Sequence, residues 1–140
     1  MQINYVYTIQ IRVRYSETDQ MGYCYYGNYA HYFEVGRVET MRSLGSSYKI
    51  LEENGILLPV REYHVRYHAP AMYDDLLHVQ TTVTEIKGAK ITFTYKILNE
   101  HNQLICEAST DLVFINKNTR KPTQAPLSFV QLFQKYASHD

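Results

Sequence analysis

The 140-residue chain has no tryptophan and only two cysteines, Cys24 and Cys106, which form no CxxC pair. That scarcity excludes a disulfide-stapled secreted scaffold and is read as two free thiols in a reduced, cytoplasmic protein. Charge of one sign is also missing: 14 Lys and Arg stand against 14 Asp and Glu. A neutral chain sets up no global field to attract nucleic acid or an anionic membrane, and neutrality does little to oppose self-association. No apolar run approaches the ~20 residues of a membrane span. The opening MQINYVYTIQIRVRY has neither a basic start nor an apolar stretch after it, so no signal peptide is expected.

What is present is an ordinary globular composition, 45% hydrophobic and 20% charged, of a size that suits one domain over residues 1–140. A chain of this length buries enough surface to need no disulfide or metal staple. Tyrosine is abundant, with 14 copies. Tyrosines suit walls that are apolar along the ring and polar at one end.

The pattern of apolar residues changes period along the chain. Residues 8–15 alternate, with Ile9, Ile11, Val13 and Tyr15 on one side and Gln10, Arg12 and Arg14 on the other, which predicts a half-buried strand. An irregular, turn-rich segment follows. From Asn28 to Gly45 the spacing is helical and puts Tyr29, Tyr32, Phe33, Gly36, Thr40 and Leu44 on one face. Asn28 is expected to be the N-cap and Gly45 the stop. Gly36 in the buried stripe costs the helix roughly 1 kcal/mol relative to alanine, which predicts a close approach to a flat surface such as a sheet. A short helix is expected over Ser47–Asn54. Strands follow over 57–67, after Asp74-Asp75 to about Ile86, over 90–98 (Ile91, Phe93, Tyr95 and Ile97 inward) and over 104–115, with turns at Lys87-Gly88 and Asn99–Asn102. The last of these is apolar on both sides near its end. A final helix is expected over 127–137. A long helix ahead of an antiparallel sheet suggests that the sheet wraps it, leaving one sheet edge for another subunit to cover.

The residues most suited to chemistry lie between the first strand and the long helix. Asp19 is a carboxylate in a polar loop, able to activate water or to attack a carbonyl carbon. The helix that opens just after it offers free amides, at Tyr26 and Gly27, where a carbonyl oxygen gains negative charge. Taken locally, Asp19 would equally be an Asx-turn residue, and any capped helix would present such amides.

A larger pattern breaks that tie. The run Arg14 to Arg37, RYSETDQMGYCYYGNYAHYFEVGR, resembles the N-terminal signature of the 4-hydroxybenzoyl-CoA thioesterase family, which includes bacterial short-chain and fatty acyl-CoA thioesterases. The family pattern is a strand, Asp-x-Asp-x-x-Gly, an aromatic or His, a small residue, Asn, an aromatic and the helix. Here it reads Glu17-Thr18-Asp19-Gln20-Met21-Gly22 and then Tyr25-Tyr26-Gly27-Asn28-Tyr29. Tyr67-His68-Ala69-Pro70-Ala71 followed by Asp74-Asp75 is similar to the family's turn between its second and third strands. The likeness spans residues 8 to about 122.

The resemblance implies an α+β hotdog fold, a long central helix wrapped by a five-stranded antiparallel sheet. It implies an acyl-CoA thioesterase with Asp19 catalytic and the Tyr26 and Gly27 N–H groups as oxyanion donors. The protein would be a homodimer or homotetramer, with no metal or organic cofactor. Tyr26 and Tyr29 would line an acyl tunnel between subunits. Arg61 and Lys90, with Arg66 and Lys87 beside them, are candidates for the CoA phosphates, although all four also suit solvated strand positions. Many bacterial members have His where this chain has Tyr26, which removes any imidazole role there. Hydrolysis of acyl carrier protein thioesters and silent acyl-ligand binding are the rival functions.

Other residues are read more plainly. His64 and His68 resemble an HxxxH metal pair, but on a strand they would stand ~13 Å apart, too far to chelate. Cys24 lies near Asp19 without a histidine to activate it and is expected to be a buried, inert thiol. Glu34 and Glu39 are expected to be solvated or salt-bridged.

Overall fold

The period-two alternation at residues 90–98 becomes a strand whose Ile91, Phe93, Tyr95 and Ile97 are all buried in the computed structural model, which describes residues 1–138. In chain order the elements are β1 (Gln2–Arg12), α1 (Asn28–Ser43), α2 (Tyr48–Glu53), β2 (Ile56–Leu57), β3 (Val60–Tyr67), β4 (Leu76–Lys87), β5 (Lys90–Leu98), β6 (Leu104–Val113), β7 (Ile115–Asn116) and α3 (Leu127–Gln131). Five strands form one antiparallel sheet in the order β1-β4-β5-β6-β3, and β2 pairs with β7 in a separate ribbon. Helix α1 packs on one face of the large sheet, which is the hotdog arrangement.

Burial of both side-chain layers explains the arrangement. Strand β4 turns Leu77, Val79, Thr81 and Val83 inward, and α1 answers with Tyr29, Tyr32, Phe33, Gly36, Arg37, Thr40 and Met41. Gly36 is where the two meet most closely. A Cβ built there would stand 2.5 Å from Thr81 Oγ1 and 3.2 Å from Val79 Cγ1, so only glycine lets the helix backbone reach β4. The same contact leaves the buried Thr81 hydroxyl without a hydrogen-bond partner among the described residues. Phe33 lies tilted by 37° against Tyr95 at 4.6 Å and meets Tyr63 of β3 edge-on at 6.1 Å.

Several details differ from the expected pattern. Strand β1 begins at Gln2 and ends at Arg12; a 3-10 turn over Tyr15–Glu17 replaces its expected end. Tyr15 therefore points to solvent, 77% exposed, and rests against Tyr73 instead of facing the core. Asn28 is the first helical residue, not the cap: Gly27 precedes the helix, and the Asn28 side chain donates backwards to the Glu17 carbonyl at 2.8 Å. Leu58-Pro59 interrupts the strand expected over 57–67, and Phe114 interrupts the one over 104–115. Leu112 and Val113 at the end of β6 are both buried, so the strand is apolar on both sides there, and Phe114 beyond it packs on Phe129 of α3. The final helix stops at Gln131 and resumes as a 3-10 turn over Gln134–Tyr136. Gly45 ends α1 as expected, with φ +86°.

Arg37 is buried to 7% exposure without a carboxylate within ion-pair distance among the described residues. Its Nε donates to Tyr48 Oη at 3.0 Å and its Nη1 to Tyr95 Oη at 3.2 Å, and Tyr95 Oη shares a hydrogen with Thr110 Oγ1 at 2.6 Å. Burial pushes the Tyr95 phenol up to about 12, so it remains a neutral hydrogen-bonding group.

β3 is an edge strand, and its side chains are mostly exposed, including Val60, Tyr63 and Tyr67. An open edge with apolar side chains is the feature that folded proteins ordinarily cover. Among the described residues, no helix is long and apolar enough to cross a membrane.

The Gly36 contact yields a stability test. Gly36→Ala is expected to destabilise the fold by about 1–3 kcal/mol in urea denaturation, because overpacking outweighs the better helix propensity. Adding Thr81→Ala should recover most of that loss, since it removes both the obstructing atom and the orphaned hydroxyl. A Gly36→Ala protein as stable as the parent would show that the contact does not restrict this position.

Candidate active site

Local turn chemistry shapes the loop that carries Asp19. Thr18 and Cys24 bridge, Asp19 N–H donates to the Tyr23 carbonyl at 3.1 Å, and the chain reverses between them. At the tip, Asp19 Oδ1 accepts the Met21 N–H at 2.9 Å and the Asp19 carbonyl accepts the Gly22 N–H at 2.9 Å. Gly22 has φ +90°, a conformation that glycine adopts without penalty. The Asp-x-x-Gly spacing is thus an Asx turn closed by a left-handed glycine. Asp19 Oδ2 accepts no hydrogen bond from the described residues.

Tertiary contacts then place this hairpin. Cys24 N–H donates to the Ala71 carbonyl at 2.8 Å, and Tyr23 bridges Met72, which holds the loop against the segment after β3. Tyr25 N–H donates to the Glu17 carbonyl at 2.8 Å and leads the chain into α1. The next two amides, Tyr26 N–H and Gly27 N–H, have no acceptor among the described residues.

A cavity of about 540 Å³ opens between the loop, the start of α1 and the end of β3. Asp19, Met21, Tyr23, Cys24, Tyr26, Tyr29, Tyr67 and the 68–70 turn line it. Tyr29 is buried and Tyr26 is 64% exposed; Tyr67 stands 5.4 Å from the first ring and 6.5 Å from the second. The volume and the apolar walls with a few polar groups are those of a small-molecule site. A larger open groove of about 620 Å³ crosses the opposite face of the sheet, lined by solvated residues such as Arg66, Gln80, Thr82, Lys96 and Ser109. It has no apolar lining of comparable depth and no acidic group beside a helix start.

The structure gathers Asp19, Tyr26 and Tyr29 at the cavity, and Gly27 beside them. It does not bring Arg61 or Lys90 to it within one chain. Lys90 pairs with Val113 and Tyr67 with Cys106, both across β6, so Lys90 lies roughly 23 Å along the sheet from the cavity. Arg61 is six residues before Tyr67 on β3, roughly 20 Å away. His64 and His68 sit against Glu62 and Glu107, at 3.5 and 3.4 Å, and no group of three metal-ligating side chains occurs among the described residues. Cys24 and Cys106 are free and buried; burial raises both thiols, Cys106 to about 12. Glu34 is exposed, and Glu39 pairs with Arg42 at 3.3 Å.

Glu17, in the sequence only one position of the motif, is a buried acid in the structure. It is 8% exposed, yet its carboxylate accepts three hydrogen bonds. Oε1 accepts from Arg14 N–H at 2.8 Å and from Tyr32 Oη at 3.0 Å, and Oε2 meets Arg14 Nη2 at 3.1 Å. Burial works against the charge, but the Arg14 and Tyr32 hydrogen bonds outweigh it and hold the carboxyl below its ordinary value. The sequence signal was the Arg14-x-x-Glu17 spacing, which closes a 3-10 turn with its own capping bonds.

Residues 13–133 match the thioesterase-like superfamily, so the match covers most of the chain. The sequence is 34% identical over 125 residues to the acyl-CoA thioester hydrolase YbgC of Escherichia coli, covering 89% of this chain and 93% of that protein. Among solved structures, a DHNA-CoA thioesterase from Staphylococcus aureus superposes with a TM-score of 0.82 at 37% identity, covering 85% of this chain and 80% of that one. A 1,4-dihydroxy-2-naphthoyl-CoA thioesterase from Synechocystis, Slr0204, shares the fold with a TM-score of 0.85 at 24% identity, over 91% and 94% of the two chains. The fold, the family match and these relatives define a hotdog thioester hydrolase. The chain belongs to the thioesterase-like superfamily, in agreement with the resemblance of its Arg14–Arg37 signature to the hotdog acyl-CoA thioesterases.

The Glu17 environment makes acid stability predictable. A carboxyl held below its unfolded value, ordinarily about 4.3, stabilises the fold above that pH, and the contribution disappears as pH falls through the folded value. Melting temperatures followed from pH 7 to pH 2 should show the parent losing stability relative to Glu17→Gln below about pH 4. Parallel curves for the two proteins would mean that Glu17 has the same proton affinity folded and unfolded.

Proposed function

We propose that the protein hydrolyses acyl-CoA to the free acid and CoA, with Asp19 as general base or nucleophile and the Tyr26 and Gly27 amides as oxyanion donors. The observation that carries this is the meeting, at one tyrosine-walled cavity, of a carboxylate oxygen and a helix start with two N–H groups, none of which has a hydrogen-bond partner among the described residues. The names of the relatives in E. coli and S. aureus both specify CoA thioesters, which favours CoA over acyl carrier protein.

The chemistry balances in either role. As a base, Asp19 takes a proton from water while the water oxygen bonds to the thioester carbon; the C–S bond then breaks and the thiolate leaves. As a nucleophile, Asp19 displaces the thiolate directly and forms a mixed anhydride, which water then hydrolyses. In both, the carbonyl oxygen gains charge at the start of α1, where free amides and the helix dipole stabilise it.

The working unit is proposed to be a cytoplasmic, single-domain homodimer or homotetramer built by covering the β3 edge. Antiparallel pairing of two β3 edges brings the Arg61 end of one strand toward the Tyr67 end of the other. Arg61 would then serve the neighbouring cavity's CoA phosphates, a role its own chain does not allow. Sedimentation at micromolar concentration is expected to show a dimer or tetramer, and an active monomer would refute the shared site.

A thiol-release assay over acetyl-, palmitoyl- and benzoyl-CoA tests the activity and reports the preferred acyl group. On the best of these, Asp19→Asn should fold normally and lose at least ~10²-fold in kcat, as expected for removal of a base or nucleophile. Near-native turnover would remove Asp19 from the chemistry. Tyr26→Phe keeps the ring and the N–H, so kcat should fall by less than about tenfold, or ~1.4 kcal/mol. A loss as deep as that of Asp19→Asn would transfer the donor role from the amide to the phenol.

A further inference from the structure

Glu17 has no place in the reaction as written, yet it makes the densest set of polar contacts next to the site. Its carboxylate accepts three hydrogen bonds, from the Arg14 amide, the Arg14 guanidinium and the Tyr32 phenol. Its carbonyl accepts two more, from Tyr25 N–H and Asn28 Nδ2, both at 2.8 Å. Tyr25 and Asn28 flank the two free amides of Tyr26 and Gly27 on either side. Asp19 is two residues further along from Glu17 itself. One residue therefore joins the exit of β1, the root of the Asp19 hairpin and the first two turns of α1.

We propose that Glu17 is the positioning residue of this active site, setting the separation of the Asp19 carboxylate from the Tyr26 and Gly27 amides. It does not line the cavity, so it acts through these groups and not on the substrate. A carboxylate is an expensive way to fill buried space, since desolvation opposes it unless every lone pair is engaged. What it does well is to accept several donors at once in fixed directions. A displacement of about 1 Å at a reacting group can cost 10²-fold in rate, so a rigid support for the two halves of the site has a large kinetic effect.

The inference rests on the proposed roles of Asp19 and the amides, and the test separates the two. Glu17→Gln, Glu17→Asp and Tyr32→Phe are compared with Asp19→Asn on the preferred acyl-CoA, with melting temperature as the check on folding. Glu17→Gln keeps the shape but turns an amide group toward donors; kcat should fall about 10- to 100-fold while KM stays within about threefold. Glu17→Asp keeps the charge with a shorter reach and should recover part of the loss. Tyr32→Phe removes one of the three carboxylate bonds and should give an intermediate kcat at unchanged KM. Inhibition by a thioether analogue of the same acyl-CoA should be equal in all of them, because binding is not what Glu17 controls.

A folded Glu17→Gln with kcat within threefold of the parent overturns the proposal, as does a parallel change in kcat and analogue binding. If Glu17→Gln does not fold, Tyr32→Phe decides: reduced kcat at constant KM supports positioning, and full kcat refutes it. An active Asp19→Asn would sink the underlying assignment instead. An inactive Asp19→Asn beside a fully active Glu17→Gln would sink only this proposal.

Discussion

The approach of α1 to β4 at Gly36 sets the geometry of everything else. With no side chain at that position, the helix backbone comes down onto Thr81 and Val79, and the large rings on either side fill the remaining space. Phe33 and Tyr29 then reach the β3 side of the sheet, where they meet Tyr63 and Tyr67. A helix held further away would leave those rings without facing surfaces and would open the core to water. The contact has a local cost, the unsatisfied Thr81 hydroxyl, which persists because the surrounding packing determines the helix position.

The direction of α1 decides where the site lies. Its N-terminus emerges at the end of β3, beside the hairpin that carries Asp19, so Tyr26, whose N–H has no acceptor among the described residues, and the Asp19 carboxylate share one cavity. Its C-terminal half lies toward the end closed by α3 and the phenylalanine cluster of Phe114, Phe129 and Phe133. One end of the core is sealed by apolar packing, and the other is edged with tyrosines whose rings leave room. Arg37 sits between these regions, a buried cation with no carboxylate at ion-pair distance among the described residues and with phenol oxygens as acceptors. Tyrosine abundance thus has two distinct structural uses: cavity wall and internal hydrogen-bond acceptor.

The edge strand β3 also forms one side of the cavity, through Tyr67. Tyr67 belongs to the aromatic wall and Tyr63 packs on Phe33, yet both remain partly in water in the single chain. A strand that is both a sheet edge and one side of a cavity couples the two, so whatever covers the edge also finishes the wall.

Much of this was legible in the residues alone, wherever the deciding interactions are local. Alternation in β5, the helical stripe of α1, the stop at Gly45 and the need for a small residue at Gly36 follow from side-chain periodicity and backbone sterics, which are properties of neighbours in sequence. The Asp-x-x-Gly turn belongs to the same class, since its Asx turn closes within four residues. Other features depended on groups far apart in the chain. Asn28 looks like a cap because asparagine usually is one, but the Glu17 carbonyl, eleven residues away, takes its side chain. Tyr15 continues an alternating pattern, but β1 ends at Arg12 because the chain turns there into the Arg14–Glu17 network. Glu17 itself reads as an ordinary acid until Tyr32 and Asn28 fold onto it. Sequence by itself determined the periodic elements, the turn around Asp19 and the family pattern; tertiary structure decided which polar groups are buried and which amides remain free, because those outcomes depend on what the folded chain brings against them.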